Sequence, residues 1–188
     1  MSVIDTPRTV LNGVNVDALL GARVALESAP PAAAFTWKAT AEWQDGVHTR
    51  TSINGFHGLG EDHRRERTFA IDTDHPPCFA ATDLGATPVE VVLAGLAGCL
   101  GAGIATVAEN RGVKLHSVKA VLEADMDLFG ILGIDADVRN GFSAVRVNFE
   151  IVADASDEDI RAIVAQSQKR SAVFDILVNP TNVVVEVN

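Results

Sequence analysis

Residues 88–112 read PVEVVLAGLAGCLGAGIATVAENRG, and what this stretch demands of its surroundings decides the fold. Pro88 suits a first helical turn, Glu90 lies near the positive end of the helix dipole, and Gly112 is a C-terminal stop. The pattern predicts one helix from about Pro88 to Gly112. Val91 to Ala108 is eighteen residues without a charge, and half of them are Ala or Gly. That is the lower limit for a membrane span, but a run this rich in small residues reads as a buried core helix. It is apolar on every side, so it should be surrounded by protein. Gly95, Gly98, Gly101 and Gly103 each cost about 1 kcal/mol of helix propensity relative to Ala. A sequence that accepts four such costs needs close backbone approach or room for a ligand, and a twofold axis beside the helix would supply the first.

Working outward toward the N-terminus, Asn15 to Ser28 has helical spacing and stops at Pro30-Pro31. It reads as part of an arm, residues 1–34, that packs on a partner subunit. Phe35, Trp37, Ala39, Ala41 and Trp43 alternate with polar residues, which predicts a strand with one buried face. Asp45-Gly46 is a hairpin turn, and Val47 to Ile53 continues the alternation. The glycines and charges of Gly55 to Arg67 read as a loop, Thr68 to Asp72 as a short strand, and His75 to Pro88 as an irregular connection. Beyond the helix, Val118 to Leu128 and Val145 to Ile151 alternate as strands. Ser156 caps a helix with an Ile160-Ile163-Val164 stripe, Ser171 to Leu177 forms a second helical segment, and Val183 to Val187 closes the chain as a strand. The order gives an α+β fold with antiparallel sheets, residues 35–188 forming one domain.

The chain has 188 residues, 15 Lys+Arg and 25 Asp+Glu, for a net charge of −10. That balance opposes nucleic acid, whose affinity is mostly cation–phosphate contact. Eight Phe, two Trp and no Tyr also leave little surface for base stacking. Met1 to Leu11 carries Asp5, Pro7 and Arg8 where a signal peptide would be apolar. With only Cys78 and Cys99, this points to free thiols in a reducing cytoplasm, and no membrane partner is expected. No phosphate-binding, zinc-protease or nucleophile-elbow motif is present, so no cofactor is expected. His48, His57, His63, His75 and Cys78 share one region with Glu61, Asp72 and Asp74. Their irregular spacing is poor for zinc, and no metal site is expected.

Cys99 lies in the apolar helix, where a thiol is either a small hydrophobe or a nucleophile. Burial raises a thiol's pKa, so reactivity needs a compensating group nearby. Arg50, on an inward-capable strand position, and Lys169 and Arg170 are the candidate cations.

Thr87 to Cys99 resembles the P-x-E-hydrophobic…A-x-x-x-C helix of the OsmC/Ohr family, the osmotically inducible and organic-hydroperoxide-resistance proteins. Arg111-Gly112-Val113 is similar to the family's helix exit. Lys169-Arg170-Ser171-Ala172-Val173 is similar to its K-x-C-P-V segment. His48 to Thr51 and Asn54 to Phe56 resemble a longer-chain subgroup with an N-terminal arm. The resemblance covers roughly Phe35 to Val187. It implies an intertwined homodimer with antiparallel sheets wrapped around central helices. It also implies peroxidase chemistry, in which a helix cysteine, activated by an arginine and a glutamate, attacks the distal peroxide oxygen and a second cysteine resolves the sulfenate. Carried over by position, Cys99 is the attacking thiol, Arg50 the activating arginine and Glu90 the nearest glutamate. Two departures stand out. Ser171 occupies the resolving position, and Glu90 lies one residue, about 100° of helix, from where the glutamate is expected. Two functions follow as expectations. One is a thiol-dependent peroxidase of small organic hydroperoxides that works through Cys99 alone, with an external thiol or Cys78 as resolver. The other is a non-catalytic dimer that binds a small apolar ligand near Cys99.

Overall fold

A computed structural model describes residues 10–187. The chain divides into two compact units. One is Asn15–Ala94; the other is Gly95 onward, together with the segment ending at Val14.

The Asn15–Ala94 unit opens with helix α1 (Val16–Ser28), capped by the Asn15 side chain, which accepts the Ala18 N–H at 2.9 Å. Pro30 and Pro31 end it in a single 3-10 turn. The sheet contains β1 (Thr36–Trp37), β2 (Thr40–Asp45), β3 (His48–Gly58) and β4 (Glu61–Thr73). All pairings are antiparallel: β1, β2 and β4 each pair with β3. The Asp45-Gly46 turn forms as expected, with Gly46 at φ 54°.

Residues 55–67 are not a loop. Gly55 pairs with Arg64, Phe56 with His63 and Gly58 with Glu61. The reversal occurs at Leu59-Gly60, where both residues have positive φ, as a two-residue hairpin requires. The charges that suggested a loop are the exposed side chains of β4, and the expected short strand at Thr68 is the end of a thirteen-residue one. The predicted buried face of β1 and β2 also fails within the chain. Trp37 and Trp43 are each 69% exposed, so the alternation marks an apolar face that the chain leaves open.

Helix α2 (Pro88–Arg111) starts in the first unit, runs from Gly95 onward in the second, and ends in a glycine cap. Gly112 sits at φ 69°, its N–H bonds Glu109 O, and the Val113 N–H bonds Ala108 O, the Schellman pattern. By length and apolarity α2 could cross a membrane, yet Leu96, Leu100, Ile104, Val107, Ala108 and Glu109 are buried in protein. Its other sides are not covered within the chain; Val92, for example, is 39% exposed.

Strands β5 (Leu115–Asp125) and β6 (Ala144–Ala153) form an antiparallel pair. Strand β5 stops short of the expected Leu128 because Asp127 caps the short helix α3 (Leu128–Ile131). Helices α4 (Asp157–Arg170) and α5 (Ala172–Val178) follow. Ile104, Val107, Ala108 and Ile163 form the core, with Val113, Leu115, Phe149, Ile151 and Val164 packed around it. Buried Glu109 accepts the N–H groups of Leu11 (3.0 Å) and Asn12, and the Asn12 amide donates to Val113 O at 2.8 Å. The segment before α1 is therefore pinned to its own chain. Val183–Val187 is not a strand: it is exposed, and no described strand pairs with it. Alternating hydrophobicity yields a strand only where a neighbour accepts its backbone groups.

Candidate functional site

The register of α4 on α2 builds the site. Gly103 of α2 lies against Ser167 of α4. A Cβ at position 103 would fall 2.2 Å from Ser167 Oγ, so only glycine admits this approach. The same hydroxyl donates to Leu100 O at 2.8 Å. One helical turn back along α2 is Cys99, and one turn onward in α4 the chain reaches Ser171. Ser171 ends α4 and caps α5 in an extended conformation, φ −78°, ψ 115°.

The buried Ser171 hydroxyl donates to Cys99 Sγ at 3.1 Å and accepts the Phe174 N–H at 3.2 Å. The N–H groups of Val173 and Ala172, at the start of α5, also favour the charged sulfur. Burial pushes the Cys99 thiol up, but these three donors outweigh it and hold the thiol below its ordinary pKa. Hydrogen bonds to the charged form favour that form, so the arrangement stabilises a thiolate, the reactive state of a cysteine. Cys99 itself is half-buried. Beside Ser171 opens a groove of about 340 Å³ lined in part by Gln168, Lys169, Phe174, Asp175 and Val178.

The other candidates have partners of their own. Arg50, in the Asn15–Ala94 unit, donates from Nε and Nη2 to the two carboxylate oxygens of Asp72, at 2.9 and 3.0 Å. His48 Nε2 lies 2.8 Å from the same carboxylate. The Arg50 and His48 contacts hold the Asp72 carboxyl below the usual carboxylate range, and the Asp72 contact raises Arg50. Glu90 accepts the Thr87 N–H at 2.7 Å and the Thr87 hydroxyl at 2.8 Å, a capping box that starts α2 and lowers the Glu90 carboxyl. Cys78 is exposed on the 3-10 turn Pro77–Phe79, and both cysteines are free thiols. Among the described residues, no three His, Cys, Asp or Glu side chains converge as metal ligands. The sequence reading missed the donor role of Ser171 and the two α5 amides. The signal was present: Ser171 opens a predicted helical segment, where cap hydroxyls and free N–H groups gather.

The sequence model of the OsmC family, described as OsmC-like protein, matches residues 81–186, more than half of the chain. The chain belongs to the OsmC-like family. No functionally curated protein matches it. Among solved structures, this OsmC-like chain is similar to an OsmC-like protein from Mycoplasma pneumoniae at 18% identity and TM-score 0.59, over 76% of this chain and 86% of the other. It is also similar to an organic hydroperoxide resistance protein OsmC, predicted redox protein, from Legionella pneumophila at 19% identity and TM-score 0.53, over 76% and 89%. A third similar structure is a putative osmotic stress induced and detoxification response protein from Psychrobacter arcticus 273-4. It matches at 16% identity and TM-score 0.54, over 76% and 88%. At these identities the likeness establishes the fold: mixed helix and antiparallel sheet, as the sequence predicts.

Proposed function

We propose that this OsmC-like chain is a thiol-dependent peroxidase of small organic hydroperoxides, with Cys99 as its sole redox centre. The observation that carries the reading is the sulfur of Cys99 facing one hydroxyl and two amide donors. The thiolate attacks the distal peroxide oxygen, the O–O bond breaks, and the alcohol departs with a proton, leaving a sulfenic acid. Ser171 cannot form a disulfide, so an external thiol attacks the sulfur, water leaves, and a mixed disulfide forms. A second external thiol then releases the oxidised pair and restores Cys99. In this reading the α5 donors do the work expected of a cation.

The protein acts as a cytoplasmic pair of copies. Supporting this are the uncovered Trp37 and Trp43 and the unpaired Val183–Val187, surfaces that a second chain would shield from water. The groove beside Ser171, with Phe174 and Val178 in its wall, favours a second reading, a non-catalytic dimer that holds a small apolar ligand.

Cumene hydroperoxide consumption with dithiothreitol, comparing wild type with Cys99→Ser, separates the two. Loss of turnover in the variant and a sixteen-dalton (sulfenic) or thiol adduct at Cys99 support the peroxidase. Equal rates, or an unmodified Cys99, refute it.

A further inference from the structure

The dipeptide Asn-Gly occurs three times in the chain, at 12–13, 54–55 and 140–141. In this pairing an asparagine is most open to attack by its own backbone. The nitrogen of the following residue can reach the carboxamide carbon and close a five-membered ring, and glycine has no Cβ to stand in the way. Closure depends on what holds the carboxamide and that nitrogen. In this respect the three sites differ.

Asn12 is locked. Its carboxamide donates to Val113 O at 2.8 Å and accepts the Leu115 N–H at 2.9 Å, while its own N–H bonds buried Glu109. Ring closure there breaks both carboxamide contacts. Asn54 is exposed but lies within β3, and Gly55 pairs with Arg64 of β4. A Cβ on Gly55 would fall 2.6 Å from His63 O. This close ladder keeps the backbone extended, and the ring cannot close without opening it. Asn140 is exposed on the irregular segment that leads into β6. Among the described residues, no hydrogen bond engages its carboxamide or the Gly141 N–H. Arg139 Nη2 lies 3.5 Å from where a Cβ on Gly141 would stand, and a cation there favours the ionised nitrogen that must attack.

We infer that Asn140 is a site of spontaneous deamidation, which exchanges its side-chain amide for a carboxylate. The Gly141 nitrogen gives up its proton and bonds to the Asn140 Cγ. The bond from Cγ to the side-chain nitrogen breaks, and ammonia departs with that proton. Water then opens the succinimide. Cleavage at Cγ leaves an aspartate in the original backbone; cleavage at the main-chain carbonyl leaves isoaspartate, with the chain running through the former side chain. The sum is amide plus water to carboxylic acid plus ammonia, without oxidant or reductant.

The conversion falls where the segment between β5 and β6 closes on itself. A Cβ on Gly130 of α3 would meet Val138 O at 2.5 Å, Asn140 Oδ1 at 2.8 Å and Arg139 O at 3.0 Å. Isoaspartate lengthens the main chain there by a methylene, and either product adds a negative charge to a chain already at −10. Modification therefore loosens α3, whose Phe129 and Ile131 are exposed.

The test ages the purified full chain in mildly alkaline buffer. Acid-pH digestion and mass spectrometry with electron-transfer fragmentation then follow all three sites in one sample. The peptide holding Asn140 should gain one dalton, mostly as isoaspartate, while those holding Asn12 and Asn54 stay unchanged. In urea all three should convert at similar rates, because the fold and not the dipeptide sets the order. Gly141→Ala should slow the conversion severalfold. Hydrogen exchange across 128–134 should quicken on ageing in wild type and stay constant in Asn140→Gln. An Asn140 as inert as Asn12 in the folded chain overturns the inference, as do equal rates at all three sites before unfolding. Unchanged exchange in fully converted protein overturns the loosening of α3.

Discussion

Replacing Ser171 by Ala removes one hydroxyl and tests the central claim about Cys99. In the wild type that hydroxyl donates to the sulfur at 3.1 Å and is itself buried. A hydrogen bond to a charged group contributes about 1.5–3 kcal/mol. Ala172 and Val173 still donate, so the lower end applies, about 1.4 kcal/mol or a tenfold change. The direction follows from which form is bonded. The donors favour the thiolate, so losing one raises the thiol's pKa and shrinks the thiolate fraction at neutral pH. Alkylation of Cys99 by iodoacetamide below its pKa should slow about tenfold, and its pH profile should move to the alkaline side. Losing the cap also deprives the Phe174 N–H of its acceptor, at about 1 kcal/mol of stability. Fraying of α5 would carry the amides away from the sulfur, an effect of the same sign.

Cys78 provides the control within the same molecule, because it is exposed and belongs to the other unit. Peptide-resolved mass spectrometry reads both alkylation rates from one sample, and only that of Cys99 should change. A Cys99 profile that stays in place or moves to the acid side in folded Ser171→Ala refutes the reasoning. If Arg50→Met instead shifts the profile and Ser171→Ala does not, a cation rather than the α5 donors governs the thiol.

Ser171→Cys should create a disulfide: the two atoms already lie 3.1 Å apart and an S–S bond needs about 2.05 Å. Mild oxidation should then protect positions 99 and 171 from alkylation and leave Cys78 reactive. Gly103→Ala should destabilise the protein by about 1–3 kcal/mol, measured as a lower urea midpoint, because the new methyl meets Ser167 at 2.2 Å. Buried Asp74 accepts the His75 N–H, the Thr82 hydroxyl and the Leu84 N–H, and its carboxyl is held at about 2. A lowered folded-state pKa stabilises above the unfolded value near 4, and that stabilisation disappears as pH falls toward 2. Urea titrations between pH 5 and pH 2 should show this loss in wild type and a flatter dependence in Asp74→Asn.

The parts of the fold that were legible in sequence are those whose causes are local. Asn15, Ser156 and Gly112 mark helix ends because each meets a backbone need within a few residues. The β5–β6 pair followed from strict alternation against one core. Errors arose where a local signal has two outcomes. A glycine- and charge-rich run is a loop unless a neighbouring strand accepts its backbone, as β3 does for Glu61 to Arg64. Conversely, Val183 to Val187 has strand composition but no described partner. Exposed Trp37 shows the same limit for burial: alternation identifies which face is apolar, and the covering surface lies elsewhere.

The site was legible as residues and illegible as chemistry. By position, Ser171 reads as the loss of a resolving cysteine, because a covalent bond is the most visible thing a cysteine pair can make. The geometry gives Ser171 a contact of its own with Cys99. A serine hydroxyl donates a stronger hydrogen bond than a thiol, and here it points at the Cys99 sulfur while capping the helix whose amides also favour the thiolate. In the proposed peroxidase, a serine at position 171 therefore strengthens the anionic form of Cys99. It leaves any sulfenate at Cys99 facing donors rather than a second thiol. On this argument, turnover depends on how readily an outside thiol reaches a half-buried sulfur. The rate should then rise with reductant concentration well beyond the range that saturates an enzyme with its own resolving cysteine. A turnover rate that plateaus at low dithiothreitol would mean that some group within the protein resolves Cys99.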